Sequence, residues 1–424
     1  MSAGKRKTVQ RKTPPNLHIL KLTFTWFATG MALYLAAMIM AVRFMPELVQ
    51  LQSVRHPKGW MLSHLLLLGF ATSVAMGASF QITQVILRTS LFSRGLGYVQ
   101  YVLYMIGFFG LLAGFALDVR LAVAGGGSLA AGAILYAVNL AATFVRKREW
   151  NLYVFGVSLS VVALLMAIFF GIAMGLSFAS GWNSARHGDM FGSHLWFGVG
   201  GWLAGLILVY SFKLLPMFYV SRKKLEPYAY AIVGMFHLGV WLQVGALWGV
   251  SSRMDDAGTL LMLIAWGWFV LHMLEVRKLS SGKAPIGAVN IAFWLLPAIG
   301  LLFAAWSAIG WAGADVPLAL EAFALAVMLG WFAGSILSYL SKILPFLWWA
   351  HRFRNKEEKK SAVPLPDMLP EKRMTRELYG YLAGVAVVVA GFLLRLPEAA
   401  QVGQAAATVF AVVYAAELAR VFRY

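Results

Sequence analysis

The stretch SHLWFGVGGWLAGLILVYSFKLLPMF, Ser193–Phe218, decides how the rest of the chain is read. It opens on Ser-His, continues apolar with glycines at short intervals, and closes on a lysine and a proline. Two other stretches share that cadence: SHLLLLGFATSVAMGASFQITQV at Ser63–Val85 and ALAVMLGWFAGSILSYLSKILPFLWW at Ala324–Trp349. Gly69-Phe70, Gly201-Trp202 and Gly330-Trp331 align at shifts of 132 and 129 residues. Ser79-Phe80-Gln81 then falls on Ser211-Phe212-Lys213, and Lys213-Leu214-Leu215-Pro216 on Lys342-Ile343-Leu344-Pro345. The chain carries a threefold internal repeat.

Around that repeat the composition is that of a membrane protein. Of 424 residues, 60% are hydrophobic and 12% charged, where soluble domains carry about 25% charged residues. Apolar runs of roughly 20 residues, enough to cross a hydrocarbon core of about 30 Å, recur along the length. The expected class is an all-α polytopic membrane protein. The net charge of +19 sits mostly in short connections, which points to topology and anionic lipid and not to nucleic acid. Cysteine is absent, which excludes disulfides, thiolate metal ligands and covalent c-type haem attachment.

Twelve spans fit, at about 20–44, 60–87, 97–117, 121–145, 151–178, 191–219, 228–250, 258–277, 286–309, 318–349, 377–397 and 402–422. Residues 1–19 read as a basic cytoplasmic tail, 20–349 as spans 1 to 10, 350–376 as a charged cytoplasmic linker, and 377–424 as spans 11 and 12. The connections with Arg88 and Arg94, Arg146–Arg148, Arg222–Lys224, Arg277–Lys283 and Arg352–Arg376 are richer in cations than the alternate ones. By the positive-inside rule both termini are expected in the cytoplasm, with the chain in the cell (inner or plasma) membrane. A repeat of about 130 residues divides twelve spans into three groups of four, with spans 2, 6 and 10 equivalent and expected at the centre of a pseudo-threefold ring.

Ionisable groups inside a membrane are costly and functional by default. His64 and His194 lie a turn or so inside spans 2 and 6, His237 is near the middle of span 7, and His272 is in the inner part of span 8. Neutral imidazole suits axial ligation of haem iron or binding of copper. From His194, Gly198, Gly201 and Gly205 follow on one helix face, and from His64, Ala71, Thr72 and Ala75. Such a stripe leaves room for a flat macrocycle, or else serves close helix packing; the histidines, in turn, serve as ligands or as inter-helix hydrogen-bonding groups. His56 and His187 stand in the outer connections, and His18 and His351 at the cytoplasmic ends. Gly125-Gly126-Gly127 follows no strand and meets no Lys-Ser/Thr, so it is no phosphate loop. Lys213 and Lys342 read as snorkelling cations, Pro216 and Pro345 as kinks or ends, and Gln81 and Gln243 as a polar path or inter-helix bonds.

On these residues the chain resembles subunit I of the haem-copper oxidase superfamily, and WMLSHLLLLGFATSVAMG is similar to the NnrS family of haem- and copper-containing membrane proteins linked to nitric oxide. The resemblance implies twelve helices in three pseudo-equivalent groups, a haem-ligating histidine on helix 2 at His64, and copper-ligating histidines on helices 6 and 7 at His194 and His237. Haem b is thereby the expected cofactor, with copper a second candidate. Expected partners are the lipid bilayer and an electron donor or another membrane subunit. The departures are specific. Phe236-His237-Leu238 offers one histidine where the family has a pair, span 10 has none, and Phe323 takes the repeat position of His194. A complete proton-pumping oxidase is therefore not expected. The expected role is electron transfer, or sensing and handling of nitric oxide or oxygen; the alternatives are a transporter or channel, and an assembly subunit with structural histidines. His64 and His194 differ by 130 rather than 132, and two residues turn a helix by about 200°, so the imidazoles need not point alike: they face one another from neighbouring helices, or one is structural.

Overall fold

A computed structural model describes residues 17–281, 287–314, 316–353 and 363–424, with side-chain detail from Leu20 onward. Twelve helices among these residues are long and apolar enough to cross a membrane. They are α1 (Leu17–Gln50), α2 (Pro57–Leu87), α3 (Arg94–Ala116), α4 (Val119–Lys147), α5 (Leu152–Ser180) and α6 (Ser184–Phe218). The second half contributes α7 (Tyr228–Leu247), α8 (Arg253–Lys278), α9 (Ala288–Trp311), α10 (Ala319–Arg352), α11 (Glu371–Leu393) and α12 (Pro397–Ala419). Several boundaries differ from the hydropathy reading. α1 continues through Pro46 to Gln50, where Glu47 pairs with Lys58 at the start of α2. α10 runs past Pro345 to Arg352, and α11 begins at Glu371 rather than 377. Charged ends reach water from a helix that is still hydrogen-bonded, so hydropathy alone places them in connections. The basic tail up to residue 16 and residues 354–362 of the expected linker lie outside the described residues.

The helices pair in sequence. α3 packs along α4, α7 along α8 and α11 along α12. α4 also lies on α5, α8 on α9, and α12 on α1. Glycine sets the first distances: a Cβ on Gly107 of α3 would stand 2.3 Å from the Leu129 nitrogen of α4, and one on Gly125 of α4 would stand 2.4 Å from that of Leu111. In α11–α12, a Cβ on Gly384 would stand 2.7 Å from the Ala407 nitrogen. In lipid no hydrophobic force drives helices together, so backbone approach at small residues supplies the contact. Of the Gly125-Gly126-Gly127 triplet, Gly125 is part of this seam, Gly126 faces Ile172 of α5, and Gly127 is exposed.

α2, α6 and α10 are more deeply buried than the rest: 78%, 67% and 56% of their most apolar stretch is buried, against 50% or less in the other nine. α2 lies against α1 and α3, α6 against α5 and α7, and α10 against α9 and α11. Between the three is a cavity of about 60 Å³ walled by apolar side chains, among them Ala71, Ala75, Leu206, Ile207 and Ile336. Each of the three also contains a π-helical segment at the repeat's Gly-aromatic pair: Leu65–Thr72, Trp196–Ala204 and Ala326–Ala333. Such widened turns recur at functional sites.

Hydrogen bonds knit the three helices at repeat-related positions. Ser79 bonds Tyr210 between α2 and α6, and Ser211 bonds Tyr339 at 2.7 Å between α6 and α10. The shifts are 132 and 129, so one bond is made twice. The third version is missing, because Leu340 and Ala78 stand in its places. The hydroxyls of Tyr104 on α3 and Tyr381 on α11 donate to the carbonyls of Leu68 and Leu329, at 3.1 and 2.7 Å, again at repeat-related positions within the π segments. Trp202 of α6 donates to Thr72 of α2 at 2.9 Å.

Candidate metal centre

His64 is the last residue of α2 before its π segment, and His194 stands two residues before that of α6. The two helices bring these imidazoles together, ring centroids 6.0 Å apart and planes within 24° of parallel. Of the two arrangements compatible with the offset of 130, rings meeting from neighbouring helices is the one observed.

Each ring is oriented by a backbone carbonyl. Nδ1 of His64 lies 2.7 Å from the Trp60 oxygen, one turn back on its own helix, and Nδ1 of His194 lies 2.8 Å from the Ala167 oxygen of α5. A carbonyl can only accept, so both Nδ1 atoms carry the proton and both Nε2 atoms keep a lone pair. Neither Nε2 has a hydrogen-bond partner among the described residues. Donation of one ring N–H to a carbonyl while the other nitrogen stays available is the arrangement that orients metal-ligating histidines.

The surroundings are aromatic and tight. Phe115 of α3 packs on His64 at 4.9 Å, and Trp60 bridges Phe115 and Phe178 at 5.9 and 5.7 Å. On the other side His194 lies against Gly171 of α5, where a Cβ would come within 3.1 Å of the imidazole Cε1. Gly171 and Phe115 carry no signal in the sequence. A glycine inside AIFFGIAMG reads as one more packing residue, and only Trp60, four residues before His64, has a spacing that suggests helical contact.

His237 stands apart. It is buried on α7 with Nε2 3.5 Å from the Ser160 hydroxyl, against Gly205, where a Cβ would come within 2.8 Å of its ring. Gly205 is eleven residues beyond His194, about 16 Å along an α-helix. The glycine stripe of α6 is used in the same way: a Cβ on Gly201 would stand 2.5 Å from that of Ala163. Packing against α5 and α7 therefore accounts for these glycines, and the space they leave is filled by protein.

The other histidines are engaged elsewhere. His56 caps the start of α2, His187 packs on Phe178 at 4.3 Å, His272 bonds the Tyr228 hydroxyl at 2.8 Å, and His351 packs on Trp348 at 5.6 Å. The side chain of His18 lies outside the described residues. Gln243 bonds Thr259 and the Asp255 carbonyl across α7–α8, both at 2.8 Å, so it joins helices. Lys342 pairs with Glu371, and Lys213 is exposed. Among the described residues no three His, Asp or Glu side chains gather as a metal-binding group. The histidine rings brought together here are the pair His64 and His194. No protein-family model matches the chain, and no curated protein matches it.

Proposed function

We propose that the chain binds a b-type haem axially through His64 and His194 and serves in one-electron transfer, on a scaffold of three equivalent four-helix groups like that of haem-copper oxidase subunit I. The observation that supports the ligation is the imidazole pair itself. Two imidazoles on opposite sides of one ion, with metal–nitrogen distances of about 2 Å, have centroids about 6 Å apart, and the observed separation is 6.0 Å. The donor set fits a macrocycle better than a bare ion. Haem brings its own equatorial nitrogens, whereas a copper or zinc ion held by protein alone needs more than two ligands. His237, the further ligand that the resemblance offers, is held against Ser160 and Gly205 instead, so copper at this pair is the weaker option.

The chain's residues have defined parts in this reading. His64 and His194 present Nε2, the Trp60 and Ala167 carbonyls hold the tautomers, and Phe115, packed on His64 and against Trp60, covers the His64 ring. A haem bound there would supply a reversible one-electron couple. With both imidazoles engaged as ligands, electron transfer would be favoured over capture of nitric oxide or oxygen, which would require one of the two to be given up. The scaffold is supported by the doubled Ser–Tyr and Tyr–carbonyl bonds at repeat-related positions. The cation bias of alternate connections supports cytoplasmic termini. A transport role has less behind it, since the central cavity is walled by apolar groups with the Tyr210 and Tyr339 rings at its edge.

The test is the optical spectrum of protein purified after haem-replete expression. A Soret band that is lost or shifted in both His64→Ala and His194→Ala is expected, with His237→Ala unchanged. Wild-type protein that folds yet shows neither a Soret band nor bound iron overturns the proposal.

A further inference from the structure

A second polar feature lies at the opposite end of the bundle, where α6 and α8 finish and α9 starts. Arg277, in the last turn of α8, lies over two rings of α9, its guanidinium carbon 5.3 Å from the Phe293 centroid and 4.8 Å from that of Trp294. Its Nη1 is buried and has no hydrogen-bond partner among the described residues. An unsatisfied cationic donor is expensive and calls for an acceptor. The carboxylates at this end do not supply it, because Glu275 pairs with Lys223 at 2.6 Å and Glu371 with Lys342.

Beside Arg277, the Tyr219 hydroxyl donates to Asn290 Oδ1 at 3.1 Å, and the Tyr219 ring packs on Phe293 at 5.6 Å. That bond turns the Asn290 amide so that its NH₂ is available as a donor. Burial pushes the Tyr219 phenol up to about 12 while the Arg277 charge pulls it down, so the guanidinium field reaches this hydroxyl. We propose that Arg277, with Asn290, binds a phosphate group at the membrane surface, taken from an anionic phospholipid headgroup. The guanidinium fork matches phosphate oxygens in a way a lysine does not. The two rings fix its plane, so little side-chain freedom is lost on binding. The site is at headgroup depth, since α8 leaves the apolar zone at Arg277-Lys278. Basic pockets between helices at that depth hold phosphorylated lipid heads.

The full-length protein is tested by native mass spectrometry after equilibration with phosphatidylglycerol or phosphatidylcholine, with a parallel arm in millimolar inorganic phosphate. One phosphatidylglycerol per chain is expected to survive activation that strips phosphatidylcholine, and Arg277→Met is expected to lower its retention about tenfold. Inorganic phosphate that displaces the lipid from wild type but not from the variant supports the same site with free phosphate as a source. If Arg277→Met does not fold, Arg277→Lys replaces it, and a loss of several-fold is expected because the charge stays while the fork goes. Retention unchanged in both variants, or no preference for phosphatidylglycerol in wild type, overturns the proposal. Neither result bears on the Soret band.

Discussion

His64 and His194 are alike in residue type and held differently. One ring is fixed by its own helix through Trp60, the other by α5 through Ala167, so His194 depends on tertiary contact. Gly171 is the sharpest test of that dependence. In Gly171→Val the added atoms meet the imidazole that a Cβ alone would approach to 3.1 Å. The Soret band of the proposed haem complex is expected to weaken or shift while helix content by circular dichroism is unchanged. A matched pair of tryptophans tests a different bond. Trp202 and Trp331 are repeat equivalents, both buried, but Trp202 donates to Thr72, whereas Ala204 stands at the repeat position of Thr72 and the Trp331 indole N–H has no hydrogen-bond partner among the described residues. Both Phe replacements remove similar volume. Trp202→Phe is expected to cost about 1 kcal/mol more than Trp331→Phe in reversible unfolding from detergent, and equal losses would contradict the bond's contribution.

At the scale of elements, the hairpins are defined by small residues and the central helices by their π segments. Replacing Gly107 with Leu would drive a side chain into the α4 backbone, which a Cβ alone would approach to 2.3 Å. A loss of several kcal/mol or failure to fold is expected. Gly127→Ala is the control on the same hairpin, since that glycine is exposed and its Cβ would meet nothing within 4 Å. That change is expected to be neutral or to stabilise by about 0.5 kcal/mol through helix propensity. Thermal unfolding of the two variants side by side decides it. The connections have order of their own. Ser221 pairs with Ser280 across the α6–α7 and α8–α9 links, and the hydrogen bond to Glu275 holds the Lys223 pKa above the usual lysine value.

At the scale of the molecule, an even number of helices returns the chain to its starting side, and the absence of cysteine makes topology easy to read. Single cysteines at Ser252 and Ser281, which flank α8, are expected to react with a membrane-impermeant maleimide from opposite sides, Ser281→Cys only after the inner face is opened. Labelling of both from outside would reverse or break the proposed orientation. The central cavity gives a packing prediction. Ala75→Leu adds three carbons beside about 60 Å³ of free space and is expected to be tolerated, whereas Ala163→Leu, facing Gly201, is expected to destabilise the fold. Unfolding midpoints compare the two.

The sequence by itself determined the membrane class, the twelve spans and the three repeated helices, because apolar length and a recurring Gly-aromatic pair are properties of the chain read along its length. It also marked His64 and His194, since a histidine in an apolar run is conspicuous. The repeat pointed to α2, α6 and α10 as the inner helices, but hydropathy did not distinguish them, and the tertiary structure is what shows them buried. α2 and α3 have the same mean hydropathy, 1.7, yet 78% of the most apolar stretch is buried in one and 33% in the other. Lipid and protein interior are equally apolar, so hydropathy cannot separate them. Nor could the sequence bring two histidines 130 residues apart to 6.0 Å, or leave His237 against Ser160. Those outcomes depend on where π segments widen the central helices and where a missing Cβ lets α5 and α6 approach. Both are contacts between distant segments, and residue order does not record them.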